Sequence, residues 1–162
     1  MNIDYQNLPE GAMQLLLVVG ASMFIISAFY AYTIQGLLKK VTPENRFMEP
    51  AQAWLVLIPI FNIYWNFVIA TRVSNSLTNE FFDRKIAEEE DPGRLAGVRY
   101  AVLFLLSLFP FPGIIALTFS LLSLVYFIAY WVKLNNFKML LEDHNRFREM
   151  QEGQKERNDT TP

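Results

Sequence analysis

The chain has 162 residues, of which 52% are hydrophobic and only 19% are charged, with a net charge of −2 and no cysteine. Soluble domains carry about a quarter charged residues, so this composition disfavours a soluble globular enzyme. The small negative charge provides no basic field for nucleic acid, and the lack of cysteine excludes disulfides and thiolate metal sites.

Three uncharged runs cover residues 11–38, 51–71 and 100–132, and each exceeds the roughly 18 residues that a membrane-spanning helix needs. The N-terminus before the first run contains Asp4 and Glu10 but neither lysine nor arginine. A cleavable signal peptide has a positively charged start, so we expect this run to be retained as a transmembrane helix. The second run predicts one further transmembrane helix.

The third run is interrupted by Pro110, Phe111, Pro112 and Gly113. Two prolines and a glycine break helical geometry, which predicts a tight connection between two helices. The sequence therefore predicts one helix over residues 95–109 and another over residues 113–133. The first of these reaches the hydrocarbon core only if Arg99 snorkels to the surface, so a re-entrant segment is the alternative to a fourth crossing.

The distribution of lysine and arginine predicts the orientation, because their excess marks the cytoplasmic side. With four crossings, eleven of the fourteen cations lie on the side that holds both termini, and only Lys39, Lys40 and Arg46 lie on the other. We therefore expect both termini to be cytoplasmic. Lys39 and Lys40 directly follow the first helix, however, which favours the opposite start. If residues 51–71 entered the membrane and returned, the N-terminus would lie outside and all fourteen cations inside.

Two apolar stripes at helical spacing continue beyond the predicted second and fourth helices. The first comprises Val73, Leu77, Phe81 and Ile86, and the second Leu134, Phe137, Leu141, His144 and Phe147. Both helices are therefore expected to extend into the cytoplasm with apolar faces that need cover. The stripes could cover each other, bind a partner, or lie in the lipid interface as amphipathic anchors.

Two polar segments flank these extensions. An acidic cluster, Glu88, Glu89, Glu90 and Asp91, precedes Pro92. Asp91 followed by proline is a helix-start signal, with the aspartate as N-cap, and the cluster's spacing resembles no calcium loop. Residues 151–162 are polar without apolar periodicity, which predicts a disordered tail after a single bundle over residues 1–150.

Four residues of the second run, Pro59, Asn62, Trp65 and Asn66, form a candidate polar cluster within the membrane. A proline inside a helix frees a carbonyl one turn earlier, and the two asparagines lie four residues apart on one face. The asparagines could line a solute path, or they could hold helices together through hydrogen bonds. Trp65 lies deep in the run and is assigned to the bundle interior.

Residues 58–65 read Ile-Pro-Ile-Phe-Asn-Ile-Tyr-Trp, and residues 72–77 continue as Arg-Val-Ser-Asn-Ser-Leu. This segment resembles small multi-helix bacterial integral membrane proteins of unassigned function. The resemblance is confined to this part of the chain. It implies a four-helix membrane protein, carries no activity with it, and makes Pro59, Asn62 and Trp65 the positions to mutate.

Catalysis and cofactor binding find little support in the sequence. His144 is the only histidine, so a site built from several histidines cannot form, and it is interpreted as a partner-contact or core residue. The uncharged runs contain no ionisable residue of the kind that proton-driven transporters place in the membrane. We expect no catalytic residue, no cofactor and no metal.

The sequence as a whole predicts an all-α, multi-pass protein of the bacterial inner membrane with four transmembrane helices, helices 2 and 4 extending into the cytoplasm. Its expected role is that of a non-enzymatic structural or interaction subunit. The expected partners are the lipid bilayer and either a second copy or another protein, without nucleic acid. The alternative is a small channel or solute-binding protein that uses the Pro59, Asn62 and Asn66 helix.

Overall fold

The computed structural model describes residues 10–86 and 90–159, together with all side chains in those ranges except four near the ends. Every regular element among these residues is helical, which confirms the all-α prediction. The four long helices are α1 (Glu10–Lys40), α2 (Phe61–Arg84), α3 (Arg94–Ser107) and α4 (Gly113–Asp159). Two 3-10 helices, Pro43–Asn45 and Pro50–Leu57, lie between α1 and α2.

Two of these helices are long and apolar enough to cross a membrane. They are α1, over Gly11–Lys40, and α4, over Gly113–Lys155. The apolar side chains in the first half of α1 are largely exposed. Four transmembrane helices, as predicted from the sequence, are not confirmed.

Residues 51–71 do not form the single helix that their length and composition predict. The 3-10 helix ends at Leu57, the chain turns through Ile58, Pro59 and Ile60, and α2 begins at Phe61. Proline disfavours helical geometry in the residue before it, and Ile58 is extended, with ψ 114°. Ile60 takes a positive φ of 65°, a conformation that is rare for a β-branched residue. Pro59 therefore lies in a turn and not within a helix.

The turn between α3 and α4 is confirmed, with α3 ending at Ser107 and α4 beginning at Gly113. The prediction that Asp91 caps α3 is wrong. The N-cap is Gly93, at φ 75° and without a side-chain cap bond, and Asp91 pairs with Arg94 at 3.6 Å. Of the acidic cluster, Glu88 and Glu89 lie outside the described residues.

The helical continuations of α2 and α4 beyond the apolar runs are confirmed, and most of their stripe residues are buried, although Phe147 is exposed. Val73, Leu77 and Phe81 on α2 are buried, as are Leu134, Phe137 and Leu141 on α4. The rings of Phe81 and Phe137 meet edge to face at 5.6 Å. The helix α4 continues to Asp159, through residues for which the sequence predicts a disordered tail.

Helices α1 and α4 run in the same direction. Near the middle of each helix, the Tyr30 and Tyr130 rings lie 6.4 Å apart, and further along Lys40 pairs with Glu142 at 3.8 Å. Because both residue numbers increase together, the two helices are parallel. The C-terminal end of α1 therefore lies beside the part of α4 that leaves the apolar segment.

Candidate functional site

A fully buried carboxylate, Glu80, lies on the packed face of α2 next to Phe81 and one turn beyond Leu77. Three donors from the segment after α1 satisfy it. The Thr42 amide and hydroxyl donate to Glu80 at 2.9 and 2.8 Å, and Asn45 Nδ2 donates at 2.9 Å. A buried charge is tolerated when it is paired and hydrogen-bonded. Donors to Glu80 come both from the segment after α1 and from α2 itself.

Arg84, one helical turn after Glu80, completes the pairing and connects three helices. Its Nε donates to Glu80 at 2.7 Å, its Nη2 to the Lys40 carbonyl at 3.0 Å, and its Nη1 to Asn145 Oδ1 at 2.6 Å. These acceptors belong to α2, α1 and α4 respectively. The positive charge also lies at the C-terminal end of α1, where the helix dipole favours a cation.

We call this cluster the polar junction, and it consists of Thr42, Asn45, Glu80, Arg84 and Asn145. Burial by itself would raise the pKa of Glu80, but hydrogen bonds from Asn45, Thr42 and Arg84 outweigh burial and hold the pKa below its ordinary value. The carboxylate therefore stays ionised at neutral pH. Because its oxygens are engaged by donors, it is suited to fixing helices and not to transferring protons.

An open cleft of about 350 Å³ lies against the polar junction, at the end of the bundle where α1 and α2 finish. Its lining comprises Thr42, Glu80, Asp83, Arg84, His144 and Arg148. His144 has its Nδ1 atom buried without a hydrogen-bond partner. Within the described ranges, no group of three or more histidine, aspartate and glutamate side chains could hold a metal ion.

The predicted intramembrane cluster lies at the other end of α2. Trp65 is buried, as predicted, and its Nε1 donates to the Gln52 carbonyl at 3.0 Å. Asn66 is 2% exposed, and its Nδ2 donates to the Asn62 carbonyl of the same helix at 2.8 Å. Its Oδ1 is buried without a partner. Pro59 lies exposed in the turn before α2 and is not part of the hydrogen bond between Asn66 and Asn62.

Sequence reasoning missed the polar junction altogether. One signal was present, because Glu80 falls within the apolar stripe of Val73 and Leu77 and has Arg84 at the favourable spacing of four residues. An acidic residue inside such a stripe indicates a buried ion pair. The remaining partners, Thr42 and Asn145, are 38 and 61 residues away from the side chains they meet, and no local pattern joins them.

No protein-family model matches the sequence, and neither the curated proteins nor the solved structures gave a significant match.

Proposed function

We propose that the chain is a non-enzymatic integral protein of the bacterial inner membrane that serves as an interaction subunit. It would contact a second copy or a partner protein through residues 142–159 of α4, which we call the arm. One observation carries this proposal: α4 passes without a break from an apolar segment into a charged arm that leaves the bundle.

The exposed side chains of the arm support a role in binding. Phe147 and Met150 are 56% and 55% exposed, although they lie among charged residues. They are three residues apart and so share one helical face. Together they place an apolar face on an otherwise charged arm, and a protein partner would remove that face from water.

The polar junction supports the same role because it fixes the base of the arm. Asn145 accepts from Arg84 at 2.6 Å, and Glu142 pairs with Lys40 at 3.8 Å. The arm is thereby connected to both α2 and α1. A partner that binds the arm would be held in a defined orientation relative to the membrane helices.

Membrane insertion is supported by the outer surface of the apolar helices. In α1, exposed side chains include Leu15, Leu17, Phe24 and Phe29. Exposing such a surface to water costs a free energy of about 25 cal/mol per Å² of apolar area, whereas exposing it to lipid does not. Lipid is therefore the partner that this surface favours.

The proposal is tested by native mass spectrometry and crosslinking of the full chain in a mild detergent. The double variant Phe147→Ser/Met150→Ser should lose the oligomer or the copurifying protein that the unchanged chain retains. The matched control is Gln151→Ala/Gln154→Ala, which changes two exposed polar positions on the same arm. A strictly monomeric chain without any copurifying protein would contradict the proposal.

A small channel or solute-binding protein is the second candidate, because the buried Oδ1 atom of Asn66 has no partner. A buried oxygen atom without a hydrogen-bond partner is free to accept a hydrogen bond from a polar solute. Replacing Asn62 and Asn66 by leucine separates the two functions. Loss of conductance in a chain that still assembles would favour the channel, and loss of assembly would favour a role in holding the helices together.

A further inference from the structure

We propose that residues 50–71 form a re-entrant hairpin that enters one leaflet of the bilayer and returns to the same face, with acyl chains covering its tip. This inference rests on membrane insertion of α1 and α4, but it is independent of the interaction role proposed for the arm. The hairpin consists of the 3-10 helix Pro50–Leu57, the turn at Ile58, Pro59 and Ile60, and the first half of α2.

The two ends of the hairpin lie together. Two hydrogen bonds join the segment before the hairpin to the segment after it. The Thr42 hydroxyl donates to Glu80 at 2.8 Å, and the Phe47 amide donates to the Ser76 hydroxyl at 2.9 Å. A full crossing by residues 51–71 would place Thr42 and Glu80 on opposite faces of a core about 30 Å thick. Hydrogen bonds between them require both segments to lie on one face.

The two limbs of the hairpin run in opposite directions. Trp65 Nε1 donates to the Gln52 carbonyl at 3.0 Å, and Phe47 contacts Ser76 further from the tip. As residue numbers rise in the first limb, those of its contacts in the second limb fall. This is the pairing of an antiparallel hairpin, reversed at Ile60 by its positive φ.

The hairpin is too short to reach the far leaflet. Arg72 is exposed and is the first charged residue after the tip, so it marks the level of the headgroups. From Arg72 back to Phe61, the helix rises about 16 Å at 1.5 Å per residue. The tip therefore stops near the middle of a hydrocarbon core about 30 Å thick.

The surface of the tip favours lipid as its cover. Ile60 is 84% exposed and Tyr64 is 62% exposed, and Ile58 and Phe61 are exposed beside them. From Pro50 to Thr71 the hairpin contains no charged residue. An uncharged tip with aromatic side chains, joined to charged segments only at its base, matches the polarity gradient across one leaflet.

The charge distribution agrees with this arrangement. When residues 50–71 return to the face they left, α1 crosses once, and α3 with α4 crosses and returns. All fourteen lysine and arginine residues then lie on one face, which the positive-inside rule identifies as cytoplasmic. The termini are thereby placed on opposite faces, in contrast to the sequence-based expectation that both are cytoplasmic.

The first experiment uses the absence of cysteine in the full chain. Single variants Glu44→Cys and Asn79→Cys carry exposed probes before and after the hairpin. Both should react with a membrane-impermeant maleimide in inverted membrane vesicles and neither in intact spheroplasts. Labelling of the two positions from opposite sides would overturn the proposal. This result would leave the oligomeric state of the chain, and hence the role of the arm, unaffected.

The second experiment measures the depth of the tip. An environment-sensitive fluorophore on Ile60→Cys, in vesicles of phosphatidylcholine and phosphatidylglycerol, should be quenched most strongly by lipids spin-labelled deep in the acyl chain. Val19→Cys, on the exposed surface of α1, is the control for a position within a span. Strong quenching by an aqueous quencher with none by the lipids would place the tip outside the bilayer and refute the proposal.

Discussion

Arg84 of α2 donates from Nη2 to the main-chain carbonyl of Lys40, 3.0 Å away at the last turn of α1. The last carbonyls of a helix lack partners within the helix, so a side chain from another helix supplies one here. Because Arg84 also binds Glu80 and Asn145, the end of α1 is fixed to α2 and α4 at a single residue.

Glu80→Gln is expected to destabilise the bundle strongly, because it leaves the charge of Arg84 buried without its counter-ion. Breaking a buried ion pair costs about 3–5 kcal/mol. The change is measured as the free energy of unfolding in detergent. Glu44→Gln is the matched control, since it makes the same chemical change at an exposed position and should cost less than about 1 kcal/mol. Equal effects of the two variants would show that the polar junction does not stabilise the fold.

The stability contributed by Glu80 should depend on pH in a defined direction. The folded-state pKa of Glu80 lies below its ordinary value, so the folded state binds the proton more weakly than the unfolded state. The contribution is therefore complete above the ordinary glutamate pKa and is lost as pH falls through the folded pKa. Unfolding of the unchanged chain and of Glu80→Gln, compared from pH 7 to pH 3, should show the difference between them shrinking only at the acid end. A difference that shrinks above pH 5 would contradict this assignment.

Gly97→Ala is expected to disturb the contact of α3 with its neighbours. A Cβ at this position would lie 2.7 Å from Cβ of Ala70 and from Cζ of Tyr130. Overpacking of this kind costs about 1–3 kcal/mol, measurable as a lower midpoint of thermal unfolding. Gly20→Ala is the control, because nothing lies within 4 Å of its Cβ position. If both variants unfold at the same temperature, the close approach at Gly97 is not present.

Trp65→Phe should weaken the pairing of the two limbs of the hairpin. The substitution keeps an aromatic ring beside Phe61, which stacks on Trp65 at 5.2 Å, but it removes the donor to Gln52. Loss of one such bond costs about 1 kcal/mol, and the reduction is followed by denaturant unfolding. Trp54→Phe removes a bond to the Gln35 side chain at the surface and should cost less. The opposite order would indicate that the bond between the limbs is unimportant.

The sequence predicted those parts of the fold whose cause is local. Pro110 and Pro112 both lack an amide donor and lie within one helical turn of each other, so the break between α3 and α4 could be predicted from the local sequence. The stripe that joins Leu134, Phe137 and Leu141 has helical spacing, so the extension of α4 was visible too. The length of the apolar run, in contrast, predicted a single helix over residues 51–71. That prediction gave too little weight to Pro59, which disfavours a helical conformation at Ile58.

The polar junction could not be predicted from local pattern because its partners are distant in sequence. A glutamate and an arginine four residues apart, such as Glu80 and Arg84, also form ion pairs on solvent-exposed helix surfaces. Only burial distinguishes this pair from an exposed one. Burial in turn depends on the position of Thr42, which is set by the return of the chain through residues 50–71. An error in the path of that segment therefore hid the site that the segment helps to build.

The unbroken course of α4 has a mechanical consequence. Its 47 residues extend about 70 Å at 1.5 Å per residue, and proline is absent from the whole length. A membrane-spanning helix changes its tilt when the thickness of the surrounding bilayer changes. Such a tilt would be transmitted along the unbroken helix to its C-terminal end, so that the position of Phe147 and Met150 would vary with bilayer thickness.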